Sequence, residues 1–350
     1  MKYKKTYFGS LSNGQKASLY TISNNQISFT ASDYGCALIS LIVPAKNQEK
    51  KDVVLGLPTL SAYSTTWGSF GSIIGRFSNR INGAKFTLDG KEYNLIQNIE
   101  GACLHGGWPR WENEIWKASF IKGRKKCGIK FSKQFPDGYQ GFPGNLSVQA
   151  LYILEEKRLS FIFKAKTDKR TPVSITNHTY FNLTGDFSDI REEKLLLNCK
   201  EYLESDSKNN VSGKILPVDG TVYDFTRGKI ISENFPEKGY DNSFVTQAYN
   251  PESGLPSKKT PLADIGSLTD FKSKIKMEVK SNLECLQLYT ANYVRGVFGK
   301  SGAVYRPFTA VCLETQAFPD SPNQASFPSV ILNPGHELFE RTDFIFSVIQ

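Results

Sequence analysis

Apolar and polar residues alternate along much of this 350-residue chain. In Asn145–Tyr152 the apolar side chains fall on one face and the polar ones on the other, which predicts a half-buried β-strand. The turn-like segment Glu155–Arg158 then leads into a second such strand, Leu159–Ala165, so the two predict a hairpin. Helical periodicity is hard to find in any window of about ten residues, while 28 glycines and 16 prolines punctuate the chain. We therefore predict an all-β, antiparallel fold.

A second hairpin is predicted where Ala84–Leu88 and Tyr93–Ile96 flank Asp89-Gly90, a dipeptide that tolerates the positive φ of a tight turn. One polar loop, Tyr249–Gly266, has β-like sequence on both sides, so we interpret it as an insertion in a single domain covering residues 1–350. Further strands are predicted at Gln26–Thr30, Ala37–Val43, Leu283–Thr290, Ala310–Thr315 and Ser329–Leu332.

Composition argues against several classes of protein. The net charge of +9 comes from scattered lysines, which indicates a solvated basic surface and no nucleic-acid partner. No stretch approaches the roughly 20 apolar residues of a membrane helix, and the basic start, Met1–Lys5, has no apolar signal region after it. The six cysteines are far apart and form no CxxC pair, as expected for buried, reduced thiols. A cytoplasmic location follows as an expectation.

The three histidines are the first candidates for chemistry. His178 lies in a run of hydrogen-bonding side chains amid strand formers, and such clusters tend to be functional, although a buried structural histidine explains the segment equally well. His105 precedes Gly106 and Gly107, which let the backbone approach a ligand closely. From that segment alone, a hydrogen-bonded structural role for His105 is the better interpretation. His336 lies in a turn and receives no role.

Three further polar positions are candidates. Glu314 is the one carboxylate of an apolar strand, where burial would raise its pKa from about 4.3 and make it a better base near neutrality; an exposed edge-strand glutamate is the alternative. Arg80, beside Asn79, can orient hydroxyl groups or stabilise an oxyanion, or form a surface ion pair. Asp241 can cap a turn or accept hydroxyl groups.

Familiar cofactor and metal motifs are absent. The chain has no HExxH, no GxSxG and no GxGxxG. Gly299-Lys300-Ser301 resembles the end of a P-loop, but the first glycine of that motif would fall at Val294. We predict neither a metal nor an organic cofactor.

Several segments, taken in chain order between Thr21 and Phe346, resemble the aldose 1-epimerase (galactose mutarotase) family. They are Ile74–Ile81, Leu104–Gly107, Phe135–Gly138, Gly141–Leu146, Asn177–Leu183, Asp219–Phe225, Gly239–Asp241, Leu286–Thr290 and Leu313–Gln316. The resemblance implies one large antiparallel β-sandwich, a supersandwich with few short helices and an open sugar-binding cleft. It also implies interconversion of the α and β anomers of a free hexose such as galactose or glucose.

By the same resemblance, Glu314 is the general base on the anomeric hydroxyl and His178 the general acid on the ring oxygen. Their unperturbed pKa values of about 4.3 and 6.5 suit proton exchange near neutrality. The remaining motif positions bind the sugar: Asn79, Arg80, His105, Asp241 and Gln287. The expected partner is a small hexose, with no membrane partner, and the expected state is a monomer or homodimer.

Two departures from the family pattern bear on sugar preference. The segment Trp108-Pro109-Arg110-Trp111 replaces a short glycine-containing stretch, and Asn242 follows Asp241 where a histidine is common. Trp108 or Trp111 could stack on a sugar face, or pack in a loop or the core.

Three other functions remain open. A hexose-phosphate epimerase would suit the positive charge, and a non-catalytic sugar-binding module would need no acid and base. A glycoside hydrolase would use Asp241 and Glu314 as a carboxylate pair.

Overall fold

The all-β prediction is confirmed by a computed structural model that describes residues 1–350. It contains thirty strands, one α-helix, α1 (Leu60–Thr65), and six 3-10 turns at Lys46–Gln48, Trp111–Asn113, Tyr139–Gly141, Ile190–Glu192, Lys300–Gly302 and Ser321–Asn323. The strands in chain order are β1 (Lys2–Ser10), β2 (Lys16–Ser23), β3 (Ser28–Ser32), β4 (Leu38–Pro44), β5 (Lys50–Asp52), β6 (Ile73–Ile74), β7 (Arg80–Asn82), β8 (Lys85–Leu88), β9 (Lys91–Asn94), β10 (Ala102–Leu104), β11 (Lys117–Ile121), β12 (Cys127–Phe135), β13 (Leu146–Glu155), β14 (Arg158–Thr167), β15 (Thr171–Pro172), β16 (Thr176–Asn177), β17 (Tyr180–Phe181), β18 (Lys194–Leu197), β19 (Glu201–Ser205), β20 (Val211–Pro217), β21 (Lys229–Ile230), β22 (Asp241–Val245), β23 (Ala263–Asp270), β24 (Ile275–Ser281), β25 (Cys285–Tyr289), β26 (Val297–Phe298), β27 (Val304–Tyr305), β28 (Val311–Gln316), β29 (Ile331–Leu332) and β30 (Leu338–Val348).

Three sheets account for most of these strands. A five-stranded sheet follows chain order, β1-β2-β3-β4-β5, and a nine-stranded sheet has the order β11-β12-β13-β14-β30-β24-β23-β18-β21. The third sheet has six strands in the order β17-β28-β25-β22-β19-β20. Neighbouring strands within each of these sheets pair antiparallel, as predicted.

Both predicted hairpins are present. Strands β13 and β14 pair from Leu146↔Thr167 to Glu155↔Arg158, and β13 buries every second side chain from Leu146 onward. Strands β8 and β9 pair around Asp89 and Gly90, whose φ angles of 53° and 74° are those of the expected tight turn.

The other predicted strands also form, with ends shifted by a few residues, as β3, β4, β25, β28 and β29. One boundary is wrong. The predicted loop Tyr249–Gly266 ends earlier, because its last residues, from Ala263 onward, pair with β24 as the start of β23. The start of this strand was interpreted as loop because its exposed side chains are polar, like those of the preceding loop.

A core of 54 buried residues is formed by side chains of the six-stranded, nine-stranded and five-stranded sheets. Val311 and Leu313 of β28 belong to this core, and Phe181 of β17 packs on Phe344 of β30 with ring centroids 4.9 Å apart. Because strand side chains alternate between faces, the even-numbered residues of β28 point to the opposite face of the sheet. That face forms the floor of the cleft described below.

The six cysteines are all free and buried, which confirms the prediction of buried thiols. No helix is long and apolar enough to span a membrane.

Candidate active site

A cleft of about 340 Å³ opens on the face of the six-stranded sheet that points away from the core. All the residues that were predicted to act on a substrate line this one cleft: Asn79, Arg80, His105, His178, Asp241, Gln287 and Glu314. They come from segments far apart in the chain, and the sheet brings them together.

Strand register aligns the floor of the cleft. In the pairing of β22, β25 and β28, Gln287 lies opposite both Ser243 and Glu314. The Gln287 amide is held on both sides, because its Oε1 accepts from Ser243 Oγ at 2.6 Å and from Asn79 Nδ2 at 3.1 Å. Its Nε2 donates to Asp241 Oδ1 at 2.7 Å. The amide is therefore oriented before any ligand arrives.

His178 lies between the two short strands β16 and β17 and contacts Cys312 and Glu314 of β28. Its Nε2 is 3.5 Å from Glu314 Oε1, and its ring stacks on Tyr180 with centroids 4.9 Å apart. His178 is 7% exposed and Glu314 only 3%. A histidine and a glutamate are thus in contact at the bottom of an open cleft, where both are shielded from bulk water.

This burial shifts both groups toward their uncharged forms. It lowers the pKa of His178 to about 4, and the charge of Arg110 acts in the same direction. Burial also raises the pKa of Glu314 well above its ordinary value, helped by the negative charge of Asp241. Burial therefore favours a neutral imidazole and a protonated carboxyl group in this pair.

His105 and Asn79 form a reciprocal pair at the wall of the cleft. The His105 N–H donates to the Asn79 carbonyl at 2.9 Å, and the Asn79 N–H donates to His105 Nδ1 at 3.2 Å. Both residues have positive φ, 57° and 63°. Burial, followed by the charges of His178, Arg110 and Arg80, lowers the pKa of His105 well below its ordinary value. His105 is thus a neutral imidazole whose Nε2 carries the hydrogen and can donate.

Asp241 is an acceptor held from several sides. Asn209 Nδ2 donates to its Oδ2 at 2.6 Å, and Arg80 Nη2 lies 3.9 Å from the same oxygen. Burial raises the pKa of Asp241, and the Arg80 charge opposes this shift. Arg80 is itself buried and bonded to Asn79 Oδ1, so the surface ion pair considered for it is not formed.

The structure also excludes an edge position for Glu314 and places both tryptophans outside the cleft lining. Glu314 does not lie on an edge strand, since β28 lies between β17 and β25. Neither Trp108 nor Trp111 lines the cleft. Trp111 is buried against Phe135, with parallel rings 4.4 Å apart, and the exposed Trp108 packs over Arg110. Asn242 does not line the cleft either.

Sequence reasoning missed some of the lining. Trp67 and Tyr293 line the cleft although they are 57% and 52% exposed. Both lie in loops without a motif, and an exposed aromatic residue beside small and polar neighbours was the only signal for them. Cys312 was noted only as a buried thiol, although it contacts His178.

The side chains of His178, Cys312 and Glu314 offer metal-binding atoms within 4.8 Å of one another. A metal ion takes one nitrogen of an imidazole. Here the thiol lies at Nδ1 and the carboxylate at Nε2, so the three groups do not converge on one point.

A large antiparallel β-sandwich whose cleft holds a histidine and a glutamate in contact belongs to a class of protein able to carry out acid–base chemistry on a small ligand. Comparisons with known proteins specify the class further. The aldose 1-epimerase family model matches residues 18–344. Galactose mutarotase of Rattus norvegicus is 34% identical over 351 residues, covering 98% of each chain. Aldose 1-epimerase of Escherichia coli K12 is 32% identical, covering 95% of this chain and 96% of that protein.

Solved structures agree on the fold. An aldose epimerase homologue from C. elegans matches with a TM-score of 0.84 and 25% identity, covering 95% of this chain and all of that one. Galactose 1-epimerase from Lactobacillus acidophilus also gives a TM-score of 0.84, at 22% identity over the full length of both chains. The chain belongs to the aldose 1-epimerase family.

Proposed function

We propose that the protein is a mutarotase that interconverts the α and β anomers of a free hexose such as galactose or glucose. Glu314 acts as the general base and His178 as the general acid. The observation that carries this proposal is the 3.5 Å contact between His178 Nε2 and Glu314 Oε1 on the floor of the cleft. The two oxygens on which they act, O1 and O5, are bonded to the same carbon, so their acid and base must be neighbours.

All proton transfers of the reaction take place between the sugar and these two side chains. Glu314 removes the proton from O1, the C1=O1 double bond forms as the C1–O5 bond breaks, and O5 takes a proton from His178 Nε2. After a half-turn of the carbonyl end, O5 attacks the other face and both proton transfers reverse. No proton is exchanged with solvent, which suits a pair that is almost fully buried.

Burial also favours the open-chain intermediate. The ring-closed sugar faces an imidazolium and a carboxylate, and the open chain faces a neutral imidazole and a carboxylic acid. The low pKa of His178 and the raised pKa of Glu314 both favour the second arrangement. The resting pair favours the same arrangement, so a proton passes from Glu314 to His178 Nε2 before the ring opens, and ring opening restores the favoured arrangement.

The other five predicted residues hold the sugar. Gln287, Asp241 and Asn79 are already fixed by hydrogen bonds to one another, and Arg80 and the Nε2–H of His105 supply donors. Such preorganisation lowers the entropic part of the barrier.

Charge in the cleft favours a free sugar over a sugar phosphate. Three cations line the cleft, and each contacts a carboxylate. Arg80 lies 3.9 Å from Asp241, Arg110 2.8 Å from Glu112, and Lys208 2.6 Å from Glu100. A phosphate would have to compete with one of these carboxylates. Nor do the contacts favour a hydrolase, because both oxygens of Asp241 already accept amide hydrogens.

Polarimetry of freshly dissolved sugars tests the proposal. The wild-type protein is expected to accelerate the mutarotation of α-galactose and α-glucose, and to act more slowly on glucose 6-phosphate. A rate no higher than the spontaneous one with both free sugars would contradict the proposal. Faster turnover of the phosphate would favour the hexose-phosphate epimerase.

A further inference from the structure

The thiol of Cys312 contacts the nitrogen of His178 that points away from Glu314. Cys312 Sγ is 3.6 Å from Nδ1, whereas Glu314 Oε1 is 3.5 Å from Nε2. Both side chains project from the same face of β28, because residues two apart in a strand point to the same side. One strand thus presents a group to each nitrogen of the same imidazole.

The aromatic neighbours of His178 fix the plane of its ring but not which edge faces Glu314. Tyr180 stacks on the ring at 24°, and Tyr289 meets it edge-on with centroids 6.0 Å apart. These apolar contacts would remain if the ring turned over and exchanged the nitrogen and carbon edges. The polar contacts, with Glu314 at Nε2 and with Cys312 at Nδ1, are what distinguish the two orientations.

The chemistry of a thiol suits this position. Histidines in active sites often donate Nδ1–H to a carboxylate, which raises the basicity of the ring. Apart from Glu314, no carboxylate lies within 4.0 Å of the His178 nitrogens. Cys312 is fully buried, and burial raises its thiol pKa well above the ordinary value, so it stays uncharged. An uncharged acceptor orients the ring while leaving the imidazolium a stronger acid toward a weakly basic ring oxygen.

We propose that Cys312 is a positioning residue for the general acid, with its sulfur accepting a hydrogen bond from Nδ1–H of His178. Nε2 is then the nitrogen that gives the proton to the ring oxygen and takes it back. The Nδ1 hydrogen stays in place in both charge states of the ring. This inference rests on the proposed function, because it concerns the acid of that reaction.

Substitutions at Cys312 test the role kinetically. Cys312→Ala is expected to lower kcat about tenfold, the scale of losses for residues that orient a reactive histidine, with KM nearly unchanged. Cys312→Ser, which keeps a hydroxyl acceptor, should retain most of the activity. Cys312→Asp should move the acid limb of the pH–rate profile to higher pH, since a carboxylate at Nδ1 raises the pKa of His178. Cys199→Ala is the matched control, because it removes a buried thiol from the core.

Nitrogen-15 NMR gives a readout that needs no turnover. The chain has only three histidines, so the His178 resonances can be assigned by substitution. The wild type is expected to show the Nδ1–H tautomer, and Cys312→Ala a mixture of tautomers.

The inference is overturned if Cys312→Ala keeps the wild-type kcat, or if it loses activity while the tautomer stays unchanged. The proposed function fails separately, if the wild type does not accelerate mutarotation even though the tautomer is the one expected.

Discussion

At the scale of single residues, the proposed chemistry depends on one proton shared between two buried groups. Local sequence left His178 and Glu314 balanced between catalytic and structural roles, and only the order of motifs favoured catalysis. Burial and contact distance could not be predicted, because they depend on residues more than a hundred positions away. These two quantities now lead to a specific pH dependence.

The pH–rate profile should be bell-shaped, with an acid limb near pH 4. Below a pH of about 4, His178 becomes protonated while Glu314 keeps its proton. The pair then holds two protons, and no base remains. Above the raised pKa of Glu314 the pair loses its only proton and no acid remains. The measurement is kcat/KM for galactose between pH 3 and 10. An acid limb near 6.5, the ordinary histidine value, would contradict this account.

A second residue-scale prediction concerns stability. Glu340 is buried and its carboxyl oxygens have no close hydrogen-bond partner, so the nearby backbone of Ile175 offsets the effect of burial only in part. Burial raises its pKa well above the ordinary value, and the charge of Glu284 adds to this. A raised acid pKa means that the folded state stays protonated while the unfolded chain ionises, so stability falls as pH rises above about 4.5.

Glu340→Gln should therefore stabilise the protein at pH 8, by about 1–3 kcal/mol, and change little at pH 4. Urea unfolding at both pH values measures the effect. An equal difference at the two pH values would mean that ionisation of Glu340 is not the cause.

At the scale of elements, the long strands could be predicted from the alternation of apolar and polar residues, but the short strands around the site could not. β13 and β14 each have ten residues, enough for a period of two to be visible. β16 and β17, which flank His178, have two residues each and carry no periodic signal. The segment was recognisable as a polar run among strand formers and as a family motif, but its strands and its location had to come from the fold.

The strand register places Ser243 beside Gln287, and this predicts that a substitution of Ser243 has a small effect on sugar binding. Ser243 is opposite Gln287 and donates to its Oε1, so Ser243→Ala removes one of the three hydrogen bonds that orient this amide. Since Asn79 still donates to the same oxygen, the expected loss is about 0.5–1.5 kcal/mol, mainly as a higher KM. Steady-state kinetics with galactose measures it. A fall in kcat alone would contradict a role in binding.

At the scale of the whole molecule, the fold assembles residues from Asn79 to Glu314 into one cleft, and no local pattern predicts that meeting. The positive charge of the chain is also a poor guide to the site. The net charge is +9, yet the three cleft cations Arg80, Arg110 and Lys208 are all paired with carboxylates. The excess charge therefore lies elsewhere on the molecule.

Because the excess positive charge lies outside the cleft, the reaction rate should depend only weakly on salt concentration. For an uncharged hexose, kcat/KM should change by less than about twofold between low and high ionic strength, because screening acts on charges and the substrate has none. Assays at several salt concentrations with constant pH measure it. A steep fall with added salt would indicate an anionic substrate.

The central claim is that His178 and Glu314 move the protons of mutarotation, and paired substitutions test it most directly. Proton NMR of fresh α-galactose should show kcat reduced by about 10²–10⁴-fold in Glu314→Gln and in His178→Asn, with galactose binding and unfolding temperature close to wild type. His336→Asn and Glu337→Gln, in an exposed turn, should behave as wild type. Full activity in either cleft variant would contradict the assignment of acid and base.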